Sequence, residues 1–293
     1  MVVTAVRCAT EQLDVSTEAI VVVDGPEAER WEEIPQLRAP DVRVLASPGK
    51  SGVADARNRG IAAASAAHVA FLDDDDLWAP DKLARQLAAT RAHDAVFGYA
   101  SAAILSAERA VRWIDLAPPA DELKRHALAN NPIPACSSNL VVRTDVARAV
   151  GFDPDLMHFA DWDFALRLLD AGTGAACPEV LVGYVWHAEN MHFVRLNGIE
   201  REFRRFRGKQ RAGGRRVGSP SQSRWLAGNY RENGRRLRAS GTYLRGAIRY
   251  RSFPDLVRAG GVLLGDRAMG LAGGRRHKPD AEPPDVGWLG AHR

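Results

Sequence analysis

The chain is short of cysteine, of lysine and of long apolar stretches. Its 293 residues include three cysteines, Cys8, Cys136 and Cys177, far apart and odd in number. They fit neither a disulfide framework nor a paired-cysteine zinc site, and read as reduced thiols. The charge-free runs that are also apolar, residues 61–72 and 95–107, are too short to span a bilayer, and 126–142 is polar and broken by proline. At the start, MVVTAVRCATEQLD places Arg7 and Glu11 where a secretory leader needs an uninterrupted apolar core. No internal repeat is visible. At 46% hydrophobic and 26% charged residues the chain can bury a sizeable core, which excludes disorder throughout. A cytoplasmic protein is expected.

The formal net charge of +4 conceals a split. Residues 1–200 sum to −11, whereas 201–276 sum to +16, almost all of it arginine, because the whole chain has five lysines. An acidic body therefore carries a basic segment, and the two are read separately.

The first half alternates strand-like and helix-like stretches. AIVVVDG at 19–25 and residues 42–46 read as strands, the second followed by the turn-rich SPGKSG at 47–52. Alanine-rich 53–67 reads as a helix before the strand HVAFL at 68–72, and Pro80 opens a further helix. Such alternation signals a mainly parallel α/β sheet with ligands beyond the carboxyl ends of its strands. Residues 95–99 and 111–114 look like strands, 118–128 and 161–171 like helices, and 131–143 like a proline-punctuated loop ending in a strand. Beyond residue 190 the pattern is arginine-rich helix broken by a Gly/Ser/Pro stretch at 213–223, and from 273 a disordered tail is expected. The division that follows is 1–192, 193–272 and 273–293.

Asp73, Asp74, Asp75 and Asp76 follow the apolar run VAFL. Adjacent carboxylates repel, so a fold that ends a buried strand there calls for a cation, and hard oxygen ligands suit Mg²⁺ or Mn²⁺. Taken alone, the run could equally be a solvated acidic turn capping the helix at Pro80.

Four segments in order share one resemblance: VVVDGP at 21–26, SGVADARNRGI at 51–61, FLDDDDLWAPDKLARQL at 71–87 and FADWDFALRLLDAG at 159–172. They resemble the motifs of family 2 glycosyltransferases, over roughly residues 8–192. Val23 stands where an Asp is usual, and Ala160 where Glu is common. The resemblance implies a GT-A-type fold, a mixed, mainly parallel sheet flanked by helices, here with a C-terminal basic helical segment. It also implies metal-dependent, inverting transfer of a sugar from a nucleotide-diphosphate sugar to an acceptor hydroxyl, in cell-envelope or exopolysaccharide synthesis. By resemblance Asp73 contacts the donor ribose region and Asp75 holds the Mn²⁺ or Mg²⁺. Asp76 makes a water-mediated contact, Asp74 points the other way, and Asp24 reaches the donor base. Asp161, at a helix start, becomes the base that deprotonates the acceptor, a place where Asp also serves as an N-cap. Asp163 is expected to bind the nucleotide sugar, acceptor hydroxyls or the base-bearing loop, and Arg57 and Asn58 face the donor or brace the aspartate loop. GYVWHAENMH at 183–192 resembles the family's late histidine segment, which makes His187 a second metal ligand and leaves His192 where a serine is usual.

The family's first strand, with its Pro-x-Tyr/Phe-Asn, has no counterpart here. The expectation is a start upstream of Met1, and an inactive or poorly soluble protein from Met1 alone. Residues 200–216 and 223–251 set arginines beside Phe203, Phe206, Trp225 and Tyr243. A helical hairpin, a surface for anionic membrane and a nucleic-acid site all fit that composition, the last least well. The expected partners are a nucleotide-sugar donor, a glycan or lipid-linked acceptor, and anionic membrane. Two rival functions fit parts of the pattern: a non-catalytic GT-A-like binding or scaffold protein, and a phosphohydrolase whose Lys and Thr/Ser motifs are missing.

Overall fold

The β-branched run at 19–23 forms a strand, β1 (Ala19–Val23), paired in parallel with β2 (Val42–Ala46). The computed structural model describes residues 1–25, 31, 33–46, 49, 51–187, 198–264 and 285–292. Helix α1 (Val2–Thr10) precedes β1, and α2 (Val53–Ala63) follows β2. The chain divides into two compact units, one holding residues 1–127, 131–187 and the C-terminal stretch, the other 128–130 and the helical region beyond 187.

In the first unit a second sheet runs in the order β3 (His68–Ala70), β7 (Val141–Arg143), β5 (Phe97–Leu105), β8 (Gly174–Val185), β4 (Leu77–Trp78), with β6 (Val111–Asp115) on β5. Among the described residues β5 pairs with β8 in parallel, and the other pairings of this sheet are antiparallel. It is a mixed sheet flanked by helices, as expected, but antiparallel pairings outnumber the parallel one where a mainly parallel sheet was expected. Every residue of β5 is buried, as a strand covered on both faces must be. Strand β8 contains Pro178, tolerated because the β5–β8 register shifts there and the Ser101 hydroxyl donates to Pro178 O at 2.8 Å. Around the sheet lie α3 (Lys82–Ala92), α4 (Leu123–Ala129), α5 (Thr144–Val150) and α6 (Ala160–Ala171).

Two packing features position the site. Phe71, Phe152 and Phe164 form one buried aromatic nest, with Phe152 stacked on Phe164 at 4.0 Å and Phe71 edge-on to both. It ties the end of β3, the loop before α6 and α6 itself together. The antiparallel pairing of Leu77 with Gly183 then lays the aspartate run beside the C-terminal end of β8.

Part of the expected disordered tail is ordered. Residues Gly287–His292 form a 3₁₀ turn, Leu289 is 4% exposed within the core of the first unit, and Trp288 Nε1 donates to Val180 O at 2.9 Å. Leu289 is what this stretch buries, with Val286 and Trp288 packed against the same core; 273–284 lie outside the described residues. So do 188–192, including His192.

The second unit carries the expected basic helices: α7 (Ile199–Ala212), α8 (Pro220–Glu232), α9 (Arg236–Tyr250) and α10 (Phe253–Leu264). Pro220 sits in the first turn of α8, where its missing N–H is no loss. Gly246 lets α9 approach α8 closely, since a Cβ there would lie 2.8 Å from that of Ser223. Asp255, buried, accepts from Arg224 at 2.6 Å and Arg258 at 2.8 Å. Among the described residues no helix is long and apolar enough to cross a membrane.

Candidate active site

Arg57 is the hub. Set on α2, it donates from Nη1 to Asp161 Oδ1 at 2.7 Å and from Nη2 to Asp73 Oδ1 at 2.8 Å. Its guanidinium also lies over the Phe152 ring, 5.3 Å from the centroid. Residues from a helix, a strand end and a second helix start, up to 104 positions apart, thus meet at one cation. Burial alone would lower the Arg57 pKa, but Asp161 and Asp73 hold it above its ordinary value. The side chain is charged at any working pH.

Asp161 stands in the first turn of α6, with its neighbour Trp162 anchored by a 2.6 Å bond from Nε1 to Ala127 O. Burial pushes the Asp161 carboxyl above the usual range, Arg57 opposes that, Asp73 adds to it, and the Ser137 hydroxyl again opposes. A buried carboxylate raised in this way, with an arginine beside it, is a candidate proton acceptor.

Within the aspartate run each side chain has a separate environment. Asp73 is partly exposed and its backbone N–H donates to Ser138 Oγ at 3.1 Å. Asp74 is exposed. Asp75 Oδ2 lies 2.8 Å from His187 Nε2. Burial raises the Asp75 pKa, His187 lowers it, and Asp73 and Asp74 raise it further. Asp76 is 1% exposed, accepts from the Val185 N–H at 3.1 Å, and has no hydrogen-bond partner for Oδ2 among the described residues. Its pKa is raised well above normal by burial, then by Asp73 and Asp75. Such crowding of carboxylates is what a bound cation offsets. Among the described residues no three His, Cys, Asp or Glu converge as a metal cluster. Asp75 with His187 fits an ion that takes one or two protein ligands and completes its shell with water and substrate phosphate.

Three residues expected at the donor site have protein partners. Asp24 accepts from the Ser51 N–H at 2.7 Å and the Gly52 N–H at 3.0 Å, securing the loop into α2. Asn58 both donates to Phe152 O at 2.8 Å and accepts from Phe152 N at 2.7 Å, which braces the loop before α6. Asp163 is fully buried and pairs with Arg167 at 2.7 Å; Arg167 also donates to Gly151 O. A helix turns two residues by about 200°, so Asp163 leaves Asp161's face and its i+4 partner takes it up.

In the sequence, 131–139 shows only as a proline-punctuated loop, with no residue marked out for the site. Ala135 and Cys136 are consecutive left-handed residues, with φ of 54° and 50°. Non-glycine residues held there store strain of about 1–3 kcal/mol each and cluster at functional sites. This turn presents the buried Ser137 and Ser138 to Asp161 and Asp73. Tyr184 lies near the aspartate run, and burial first, then Cys136, Asp76, Asp73 and Asp75, push its phenol well above its ordinary pKa. No periodicity signals such a loop; only the density of Pro, Ser and Asn does.

A family model described as "Glycosyl transferase family 2" matches residues 1–151. The Escherichia coli protein WfaP, a UDP-Glc:alpha-D-GlcNAc-diphosphoundecaprenol beta-1,3-glucosyltransferase, is 25% identical over 179 residues, 61% of this chain and 69% of that protein. The succinoglycan biosynthesis protein ExoO of Rhizobium meliloti is 28% identical over 203 residues, 64% of this chain and 56% of its own length. The chain thus spans little more than half of ExoO. Crystal structures of S. aureus TarS 1-349 share the fold: the TM-score is 0.55 at 15% identity, over 90% of this chain and 76% of that one. The TarS complex with UDP-GlcNAc superposes with a TM-score of 0.56 at 16% identity.

Proposed function

The chain belongs to glycosyltransferase family 2, and we propose that it transfers a sugar, with inversion, from a nucleotide-diphosphate sugar to an acceptor hydroxyl in cell-envelope or exopolysaccharide synthesis. The observation that carries this reading is the Arg57 hub, which holds Asp161 and Asp73 on one cation at 2.7 and 2.8 Å. Asp161 takes the acceptor proton as the hydroxyl attacks the anomeric carbon. Arg57 orients that carboxylate and keeps it ionised despite burial. Asp73 meets the donor ribose, and Asp24, Asn58 and Asp163 shape the pocket by bracing its loops. Asp75 and His187 would hold Mg²⁺ or Mn²⁺, which neutralises the departing diphosphate. Relatives named for a diphosphoundecaprenol acceptor and for succinoglycan support a lipid-linked or polysaccharide acceptor.

The second unit supports docking to an anionic membrane. Leu237, Leu244 and Ile248 of α9, and Phe253, Leu256, Val257, Leu263 and Leu264 of α10, are exposed among arginines. Apolar side chains interleaved with arginine suit an interfacial position.

The test is donor turnover with Mn²⁺ across a panel of nucleotide sugars, with product anomers read by proton NMR. Asp75→Ala is expected to abolish metal-dependent turnover, and Asp161→Asn to reduce it about 10²–10⁴-fold, the worth of a positioned base. In the parent, kcat/KM falls as pH drops through the raised Asp161 pKa. Metal-independent turnover, retention, or no nucleotide binding would overturn the reading, the last favouring a scaffold.

A further inference from the structure

A groove of about 340 Å³ opens among the C-terminal part of α7, the loop after it and the end of α9. Arg207, Arg211, Arg215, Arg216, Arg249 and Tyr250 line it, and no carboxylate does. The second unit does pair arginines with acids, but outside the groove: Asp255 takes Arg224 and Arg258, and Glu200 takes Arg245. Inside it guanidiniums also contact neutral groups. Arg215 Nε donates to Gln210 Oε1 at 2.9 Å, Arg207 lies over the Phe203 ring and Arg249 over the Tyr250 ring, each 5.5 Å from the centroid. Arg211 and Arg216 are exposed and form no ion pair among the described residues. The floor is tight: Gly218 has φ 114°, and a Cβ there would lie 3.0 Å from the Tyr250 hydroxyl oxygen.

Five cations in one concavity repel each other, and the low-dielectric walls concentrate their field. An anion with several charges in small volume offsets this best, and the guanidinium fork matches phosphate oxygens in pairs. We propose that this groove is a phosphate-binding site that takes a diphosphate or a cluster of phosphate monoesters, as found on a lipid headgroup or a soluble metabolite. A nucleic acid fits less well. Its backbone needs a stripe of charge with free aromatic faces, whereas this is a closed patch whose one aromatic ring is already covered by Arg249. The site lies outside the sugar-transfer residues and stands or falls apart from them.

The experiment titrates the full chain with inorganic pyrophosphate by calorimetry at low salt, without divalent cation. Saturable binding is expected, weakened at least tenfold by Arg211→Ser with Arg216→Ser, less by lysine at both positions, and unchanged by Arg125→Ser, an exposed arginine of the first unit. Both arginines are exposed, and a parallel thermal melt confirms that the serine variant folds. Absence of saturable binding, or binding that the serine pair leaves intact, overturns the proposal. Phosphatidic acid vesicles, which present clustered phosphate monoesters, distinguish the sources. Vesicle binding displaced by pyrophosphate assigns a lipid phosphate, and pyrophosphate binding without vesicle competition assigns a soluble one, either supporting the site. A single-stranded oligonucleotide held by Arg211 and Arg216 that pyrophosphate cannot displace overturns it.

Discussion

Replacing Arg57 with methionine keeps much of the side-chain volume and removes the charge that joins Asp73 to Asp161. The Arg57 side chain is 11% exposed, that of Asp161 23% and that of Asp73 40%. Removing one member of a buried ion pair costs about 3–5 kcal/mol, because the partner is left buried and uncompensated. Water takes up part of the Asp73 charge, so the expected loss is about 2–4 kcal/mol. At roughly 2–4 °C per kcal/mol, Tm at pH 7 falls by about 5–15 °C. Without the arginine, Asp161 loses the main influence opposing its burial, and its pKa climbs further. A carboxyl whose folded pKa lies above its unfolded value binds protons more tightly in the folded protein, so stability is lost as pH rises between the two and regained on acidification. The deficit of Arg57→Met therefore narrows toward pH 4.5. Scanning calorimetry at both pH values measures this, with Asp161→Asn completing a double-mutant cycle whose coupling is expected at about 1–2 kcal/mol. A variant melting within about 1 °C of the parent at pH 7, or strictly additive single costs, would refute the hub.

Two further changes probe the core beneath the site. Lys82 is fully buried, donates to Gln86 Oε1 at 2.8 Å and lies 4.0 Å from the centroid of the Trp78 ring, and burial lowers its pKa from 10.5 to about 7. The unfolded chain therefore holds a proton that the folded one releases between those values, so the parent gains stability as pH rises from 7 to 10. Lys82→Met should be more stable at pH 7 by about 1–3 kcal/mol, the relief from ionic burial less the bond lost to Gln86, with the advantage shrinking by pH 10 in urea melts; a pH-independent difference would contradict the assignment. Gly174→Ala would set a Cβ 2.5 Å from Phe97 Cζ and 3.1 Å from Leu123 Cδ2. Overpacking of this kind costs about 1–3 kcal/mol, read as a lower urea midpoint at constant m-value, and an unchanged midpoint would show that the Phe97 ring moves freely.

Much of the site was legible because its residues sit in short ordered motifs whose chemistry is local. The aspartate run follows a buried strand, and Asp161 opens a helix whose 3.6-residue periodicity is plain. What escaped reading depends on contacts distant in sequence. Nothing in SGVADARNRGI says that Arg57 reaches Asp161 rather than solvent, or that Asn58 satisfies both backbone groups of Phe152. Strand β8 was missed because Cys177, Pro178 and Glu179 interrupt its apolar pattern, and only the matching irregularity in β5 accommodates them. Asp163 could have been read correctly: Arg167 stands four residues on, the spacing of a helical ion pair.

The last turn, with Leu289 in the core of the first unit, changes what kind of module the arginine-rich helices are. They are spliced into the transferase unit, leaving it at one point in the chain and returning to it at another, so that both of their ends are tethered. Deleting from residue 198 onward would excise a piece of that unit's hydrophobic interior along with the helices. A graft that exchanges the helices among relatives must preserve residues 285–292 or supply their equivalent. After a single proteolytic nick between the two units, the last turn would still hold the severed helices non-covalently, and release would require two cuts.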